Sequence, residues 1–486
     1  MTGPLQKFDF VVIGSGPAGQ KAAIQAAKSG QRVAVIEREA TVGGACVLSG
    51  TIPSKSLREQ ALRYRAAHSR SREKIELLDV PLCSLLAGVA ETVAAHDRYM
   101  AAQLERNQIT LLRGRAHFRA PGLLSVRLPD GGSIDVMGER VVIATGSRPR
   151  APDNITVDHE HVLDSDSILS LPYLPRNLLV SGSGVIASEY ASMLAALGCH
   201  VVQLDRSPRP LAFLDAELTD CYLEELRGNG SDYLGGVELV STRFDGVCRI
   251  ECRLSNGETL HVDKVLVASG RLANVDTLNL AAAGVELTAR GHIGVDDEFA
   301  TNVPGIYAAG DVIGPPALAS VSMEQGRRAA CHALGLMVNQ DLGSGAPSGI
   351  YTIPEMATVG SDETTVRRHL GGAIVGRARF AEIARGQIAG SHRGLLKLVA
   401  DADGRRVLGA QVVGDGAADL VHIAQMGIAA HFDVDTFIDN VFNFPTLAEA
   451  YRVAVQGHAL RGRAGRGAAD CLLHRRPRPA WTSSPT

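Results

Sequence analysis

The chain has 486 residues, 45 % of them hydrophobic and 21 % charged, with a formal net charge of −3. These are globular values, which exclude a disordered chain, a collagen and a small disulfide scaffold, and the near-neutral balance gives no general attraction to nucleic acid or to an acidic membrane. The length implies about three domains, and 52 glycines beside a single tryptophan point to close backbone packing around something small.

The first ten residues lack the basic start and apolar run of a signal peptide. No uncharged apolar stretch approaches the ~18–20 residues that cross a bilayer, so the expected compartment is the cytoplasm. Residues 8–37 run from an apolar strand through Gly14-Ser15-Gly16-Pro17-Ala18-Gly19 into an Ala-rich helical stretch, then to a second apolar strand ending at Glu37. Residues 177–205 repeat the design: strand, Gly182-Ser183-Gly184-Val185-Ile186-Ala187, helix, and a strand ending at Asp205. Each is a βαβ unit of about 30 residues.

The glycines have physical roles. Gly14 or Gly182 permits the tight turn, Gly16 or Gly184 lets backbone approach a pyrophosphate, and Gly19 or Ala187 packs helix on strand. The helix N-terminus turns free N–H groups and the positive end of its dipole toward phosphate. The terminal acid, near the expected spacing of about 20 residues, accepts hydrogen bonds from a ribose diol. One such turn is a weak signal; two, each with strand, helix and acid in place, predict two bound dinucleotides.

Further along, residues 140–149 and 264–271 read as apolar strands ending in small residues, which adds Thr145, Gly146 and Gly270 to the candidate cofactor contacts. Residues 301–311 form a third such strand, ending in Asp311. Residues 349–460 change texture, with strands expected at 373–380 and 396–413 and helices at 417–431 and 446–460, a separate α+β domain. From 461 the chain is rich in Arg, Gly and Pro (Arg461, Arg463, Arg466, Arg475, Arg476, Arg478) and reads as a flexible, solvated basic tail. The eight cysteines include no C-x-x-C pair, against both a disulfide framework and a zinc site. Cys248 and Cys252 are expected on one face of a strand as packing residues. The 15 histidines show no metal-ligand spacing, so no metal is expected.

With two dinucleotide units and the 301–311 segment, the chain resembles the FAD-dependent pyridine nucleotide-disulfide oxidoreductase family over roughly residues 7–460. The resemblance implies an α/β fold with two Rossmann-like FAD/NAD(P)-binding domains plus an α+β C-terminal dimerisation domain. Its expected boundaries are 1–150 and 276–347 for FAD, 151–275 for NAD(P), 348–460 for dimerisation and 461–486 for the tail. In that family the first unit and the Gly-Asp strand bind FAD, with Asp311 matching the acid on the ribityl chain, and the second unit binds NAD(P).

The family's usual chemistry needs two cysteines five apart and a C-terminal His-Pro-x-x-x-Glu. Here Cys46 is followed by Thr51, and Phe444 stands at the histidine position before Pro445 and Glu449. A threonine cannot enter thiol–disulfide exchange and a phenylalanine cannot move a proton. This paired loss is similar to one branch, the soluble pyridine nucleotide transhydrogenases, as are Gly50-Thr51-Ile52-Pro53-Ser54-Lys55, Leu211–Asp215 and Ser348–Glu355. The tail and Phe444 itself depart from that branch.

The resemblance implies hydride transfer between NADPH and NAD⁺, in either direction, through flavin N5, at one shared nucleotide site and therefore with ping-pong kinetics. Lys55 and Glu189 match a family ion pair beside flavin N5, while Cys46 and Thr51 fall among the flavin contacts. Asp205 suits a free ribose 2′-OH, and Arg206 either grips a 2′-phosphate or is an ordinary surface charge. Cys46 is either a small relic residue or a reactive thiolate. Glu449, without its histidine, is expected to make a structural hydrogen bond. A homodimer is implied, with no nucleic-acid or membrane partner. The competing readings are a diaphorase passing electrons to quinones or oxygen, a dihydrolipoamide dehydrogenase-like disulfide reductase, and a non-catalytic NAD(P)H-sensing flavoprotein.

Overall fold

The computed structural model describes residues 5–68, 82–338 and 345–457; the arginine-rich tail and Cys471 lie outside them. Of the described residues, those within 1–212, 223–341 and 351–353 form one compact unit, and those within 213–222, 342–350 and 354–486 form a second. Among them no helix is long and apolar enough to cross a membrane.

In the first unit, strand Gln6–Ile13 lies between parallel neighbours Val33–Glu37 and Ser133–Ile143. Thr110–Arg113 and Ile306–Ala308 extend this parallel core. The first half of Ser133–Ile143 also carries an antiparallel extension, Leu123–Arg127 and Arg115–Ala120, giving seven strands among the described residues. Val33–Glu37 is buried at every position, and its first four residues are apolar as expected of a strand covered on both faces, with the charged Glu37 closing it. Helix Pro17–Lys28 starts on a proline, whose missing N–H costs nothing in the first turn. Its inner face is made of Ala18, Ala22, Ala23 and Ala26, and small residues there let elements approach closely. A β-carbon on Gly326, in helix Ala319–Ala333, would stand 2.0 Å from the Ala18 carbonyl oxygen. The strand expected over 301–311 is shorter than the sequence pattern: only Ile306–Ala308 pairs, and Asp311 opens a helical turn.

A second parallel sheet has the strand order Asp232–Gly235, His200–Asp205, Asn177–Ser181, Lys264–Val267, Val162–Leu163. Antiparallel strands Leu239–Phe244, Ile250–Leu254 and Thr259–Val262 pack on it through Leu239, Ile250, Cys252 and Leu254. Cys252 is thus a core residue, as expected, but Cys248 is exposed. The Asp245 carboxylate accepts the N–H groups of Val247, Cys248 and Arg249, and this turn keeps Cys248 out of the strand.

The second unit is built on an antiparallel sheet ordered Ser348–Ile350, Met356–Gly360, Val407–Val413, Leu395–Ala400, Ile374–Arg379. The stretch 396–413, expected as strand throughout, folds back on itself: Leu395–Ala400 and Val407–Val413 pair across a turn in which Asp401 accepts the Arg405 N–H at 2.6 Å. Helix Ala417–Ala429 packs on the sheet; of the helix expected over 446–460, the described part starts later, as Glu449–Gln456, and residues 458–460 lie outside the described residues. Tyr451 is fully buried between them and donates its hydroxyl to the Leu420 carbonyl at 2.7 Å.

One interaction in this unit is expensive to break. Lys397, 4 % exposed, contacts Asp215 at 2.7 Å, Glu217 at 2.7 Å and Glu363 at 3.0 Å. Burial alone would depress the Lys397 ammonium, but the three carboxylates outweigh it and hold its pKa above the ordinary value. Arg377 also bonds Glu217, and its hydrogen bond is the main reason that carboxyl falls from 4.5 to about 2. Removing the ammonium strands a buried Asp215 carboxylate. Lys397→Met should therefore destabilise this unit by about 3–5 kcal/mol in urea unfolding; a loss below about 1 kcal/mol would count against the network. Because the Glu217 pKa is depressed, its contribution is present above pH 4.5 and fades as pH falls toward about 2.

Candidate functional site

The first Gly-rich turn follows Gln6–Ile13. Gly14 has φ +104°, and a β-carbon there would stand 2.4 Å from the Ala144 carbonyl oxygen, so the turn requires glycine on both counts. A β-carbon on Gly19 would stand 1.9 Å from the Gly14 oxygen, which fixes the helix against the strand. Gly16, by contrast, has nothing closer than 3.9 Å and heads helix Pro17–Lys28 without a side-chain cap. Its first-turn N–H groups thus have no side-chain cap, an arrangement suited to an anion.

Glu37, 5 % exposed, is held from the same turn. The Ser15 N–H and hydroxyl donate to one carboxylate oxygen at 2.9 and 2.6 Å, and the Glu39 N–H donates to the other at 2.9 Å. Ser15 in turn accepts the Gly43 N–H at 3.0 Å, tying the turn to the start of the Cys46 segment. Three donors leave about one lone-pair site on the carboxylate for a ligand hydroxyl.

The second turn repeats this geometry. Gly182 has φ +135° and sits against the Ala268 oxygen, while Gly184 has nothing within 4 Å of a β-carbon and no side-chain cap on helix Val185–Ala196. Ala187 is fully buried at the packing position. Beyond the next strand, Asp205 accepts the Ser207 N–H at 2.8 Å, and Tyr233 donates its hydroxyl to the Ser207 carbonyl at 2.7 Å. Burial, with Asp205 adding, pushes the Tyr233 hydroxyl up to about 12 and keeps it a donor. Arg206 does not pair with Asp205. It bonds Glu238 at 2.8 Å and is 81 % exposed.

Lys55 and Glu189, 134 residues apart, come together. The ammonium meets the carboxylate at 2.7 Å, with Lys55 25 % and Glu189 5 % exposed. Lys55 is in helix Thr51–His68, which Thr51 opens, and Glu189 is in the helix that opens on Gly184. The other Glu189 oxygen accepts the Tyr351 N–H at 2.9 Å, and the Lys55 ammonium stands 4.9 Å from the Tyr351 ring centroid. Asp311 accepts the Ser147 hydroxyl at 2.7 Å, and Arg271 donates to that hydroxyl and to the Ser147 carbonyl. Thr145 and Gly146 are bonded to Asn274, and neither Gly146 nor Gly270 has an atom within 4 Å of a β-carbon position. Ser15, Ser147, Arg271, Tyr351 and Glu238 were not among the residues singled out from sequence. Ser15 and Arg271 could have been, since each adjoins a motif glycine.

Cys46 is in the short helix Gly44–Leu48 and is a free thiol. Burial pushes its pKa up; the Thr51 hydroxyl and the Lys55 ammonium pull it back only in part, and Asp311 adds to the rise. A protonated thiol is a poor nucleophile, which favours the relic reading. Of the Glu449 carboxylate, Oε2 is buried without a hydrogen-bond partner, and Phe444 is 68 % exposed. Among the described residues no group of His, Cys, Asp and Glu is arranged to hold a metal ion.

Residues 8–326 match the family model for pyridine nucleotide-disulphide oxidoreductases, and residues 346–455 match the dimerisation domain of that family. A soluble pyridine nucleotide transhydrogenase from Mycobacterium bovis is 40 % identical over 459 residues, covering 93 % of this chain and 97 % of its own. One from Vibrio atlanticus is 38 % identical over 454 residues, covering 92 % and 97 %. Among solved structures, LpdA from Mycobacterium tuberculosis superimposes with a TM-score of 0.85 at 26 % identity, over 93 % of this chain and 99 % of its own. The HOCl-induced flavoprotein disulfide reductase RclA from Escherichia coli gives 0.83 at 26 % identity, over 92 % and 99 %.

A raised thiol pKa has a direct readout. At pH 7 Cys46 should alkylate at least about tenfold more slowly than the exposed Cys83 and Cys248, and accelerate only above the ordinary thiol range. Mass-spectrometric mapping of iodoacetamide labelling checks this; rapid labelling of Cys46 at neutral pH would restore the thiolate reading.

Proposed function

The chain belongs to the pyridine nucleotide-disulphide oxidoreductase family, and from that premise we propose that it is a flavoenzyme that exchanges reducing equivalents between NADPH and NAD⁺. When bound, FAD supplies a two-electron carrier that takes hydride from one nicotinamide and delivers it to another. The first dinucleotide unit would hold FAD: the open N-terminus of helix Pro17–Lys28 takes the pyrophosphate, Glu37 the ribose diol and Asp311 the polyol. The second unit would take NADPH and NAD⁺ in turn at Gly184 and Asp205. The C-terminal unit would pair two copies into a homodimer, in keeping with exposed Val441 and Phe444.

The observation that carries this reading is the Lys55–Glu189 ion pair, because it links the two dinucleotide units at one point. A fixed ammonium there would stabilise negative charge gathering on a reduced ring system, and the buried carboxylate holds it in place. Glu189 in turn is held by the Tyr351 N–H. Hydride exchange needs orientation and this electrostatic support but no nucleophile. Cys46 has the Thr51 hydroxyl beside it, not a second thiol, so the relay that a disulfide substrate demands has no second half.

Anaerobic addition of NADPH should bleach the yellow protein, and excess NAD⁺ should restore the colour with no long-wavelength thiolate band. Recovery only with a quinone or oxygen would move the assignment to a diaphorase, and absence of bleaching would move it to a sensor. Steady-state rates should give parallel double-reciprocal lines; intersecting lines would exclude a single shared site. Lys55→Met should slow bleaching by roughly 10- to 100-fold at full flavin occupancy, and an unchanged rate would remove Lys55 from the mechanism.

A further inference from the structure

Asp205 closes the strand that leads away from the second Gly-rich turn, so the adenosine ribose of a nucleotide at that turn would reach this loop. The loop is braced rather than loose. The Asp205 carbonyl accepts the Val237 N–H at 3.1 Å, and Tyr233 holds the Ser207 carbonyl. The Leu211 N–H returns to the Ser183 carbonyl at 2.8 Å, bringing the end of the loop back to the turn. Arg206 sits in this frame with its guanidinium turned to Glu238. Glu238 itself is fixed: its N–H donates to the Ser255 hydroxyl at 2.9 Å, and its carbonyl accepts the Ser255 N–H at 2.9 Å.

We propose that Glu238 is a specificity-determining residue that tunes the choice between NADP(H) and NAD(H) by holding Arg206. The inference rests on the reading of the second dinucleotide unit as a site shared by both nucleotides. A ribose 2′-phosphate brings a charge of about −1.5 to −2 and seeks a planar, bidentate guanidinium. Here that guanidinium is already engaged by Glu238, and Asp205 adds a second carboxylate beside it, while Arg209 lies three residues further along the same loop. A nucleotide with a free 2′-OH needs only Asp205 and is indifferent to Arg206. A nucleotide with the phosphate must draw Arg206 away from Glu238 before gaining its bond. Because the Arg206–Glu238 pair is exposed, that competition is modest. It lowers NADP(H) affinity without abolishing it, which suits a site that must release one nucleotide to admit the other.

The test measures binding rather than turnover, with 2′,5′-ADP and 5′-AMP as probes titrated calorimetrically into the flavin-loaded enzyme. Glu238→Gln should tighten 2′,5′-ADP by about fivefold, the size of one exposed ion pair. 5′-AMP should move by less than about twofold. Arg206→Ala should weaken 2′,5′-ADP, and adding Glu238→Gln to it should then change 2′,5′-ADP by less than about twofold. An unchanged preference in Glu238→Gln, or the same tightening with Arg206 absent, would overturn the proposal. If the wild-type protein binds neither probe, the shared-site reading itself falls and this inference falls with it. If both probes bind and only the preference fails to move, that reading stands and Glu238 alone is excluded.

Discussion

A carboxylate that is 5 % exposed must be satisfied on both oxygens or pay a desolvation cost of several kcal/mol. Glu189 meets that constraint with the Lys55 ammonium on one oxygen and the Tyr351 N–H on the other. In doing so it ties together three stretches that are far apart in sequence: the helix after Cys46, the helix that opens the second dinucleotide unit, and the 351–353 return. Nearby bonds serve the same junction. Ser192, one turn on from Glu189, accepts the Ile353 N–H at 3.0 Å, and Arg58, one turn on from Lys55, donates to the Thr352 carbonyl at 3.1 Å. The head of Lys55 therefore has a defined position set by protein groups alone, the kind of pre-organisation that the proposed role requires.

What the sequence discloses depends on how local the cause is. The two glycine turns were legible because each is a short-range steric solution: the residues that need Gly14 and Gly182 lie at fixed offsets along one strand and helix. The Lys55–Glu189 pair was legible only through the family resemblance, since nothing in either helix points to a partner 134 residues away. Glu238 was not legible at all, because its meeting with Arg206 follows from the parallel register of Asp205 with Gly235 and not from any motif. Cys248 and the 396–413 run misled for the opposite reason. Their apolar patterns suggest strand, but an aspartate side chain captures the backbone N–H groups first, at Asp245 and at Asp401, and turns the chain.

Two substitutions have different structural consequences. Thr51 replaces a thiol yet keeps a hydroxyl beside Cys46, so the local packing and bonding survive while exchange chemistry does not. Phe444 has a ring that cannot hydrogen-bond, and in the same segment the Glu449 Oε2 is buried and unpartnered. An unpaired buried oxygen costs about 1–3 kcal/mol.

The duplicated units also differ in how firmly they grip. In the first, Glu37 is buried and receives three protein donors, with the 39–43 loop bonded back onto the glycine turn through Ser15 and Gly43. In the second, the Asp205 carboxylate is held from Ser207, and the neighbouring Arg206 is 81 % exposed. Among the described residues the terminal acid is thus held by three protein donors in one copy and by one in the other. Three donors fix a carboxylate for a ligand that stays, and a single donor leaves it freer to change partners, which is the difference expected if the first copy keeps a cofactor while the second takes substrates in turn.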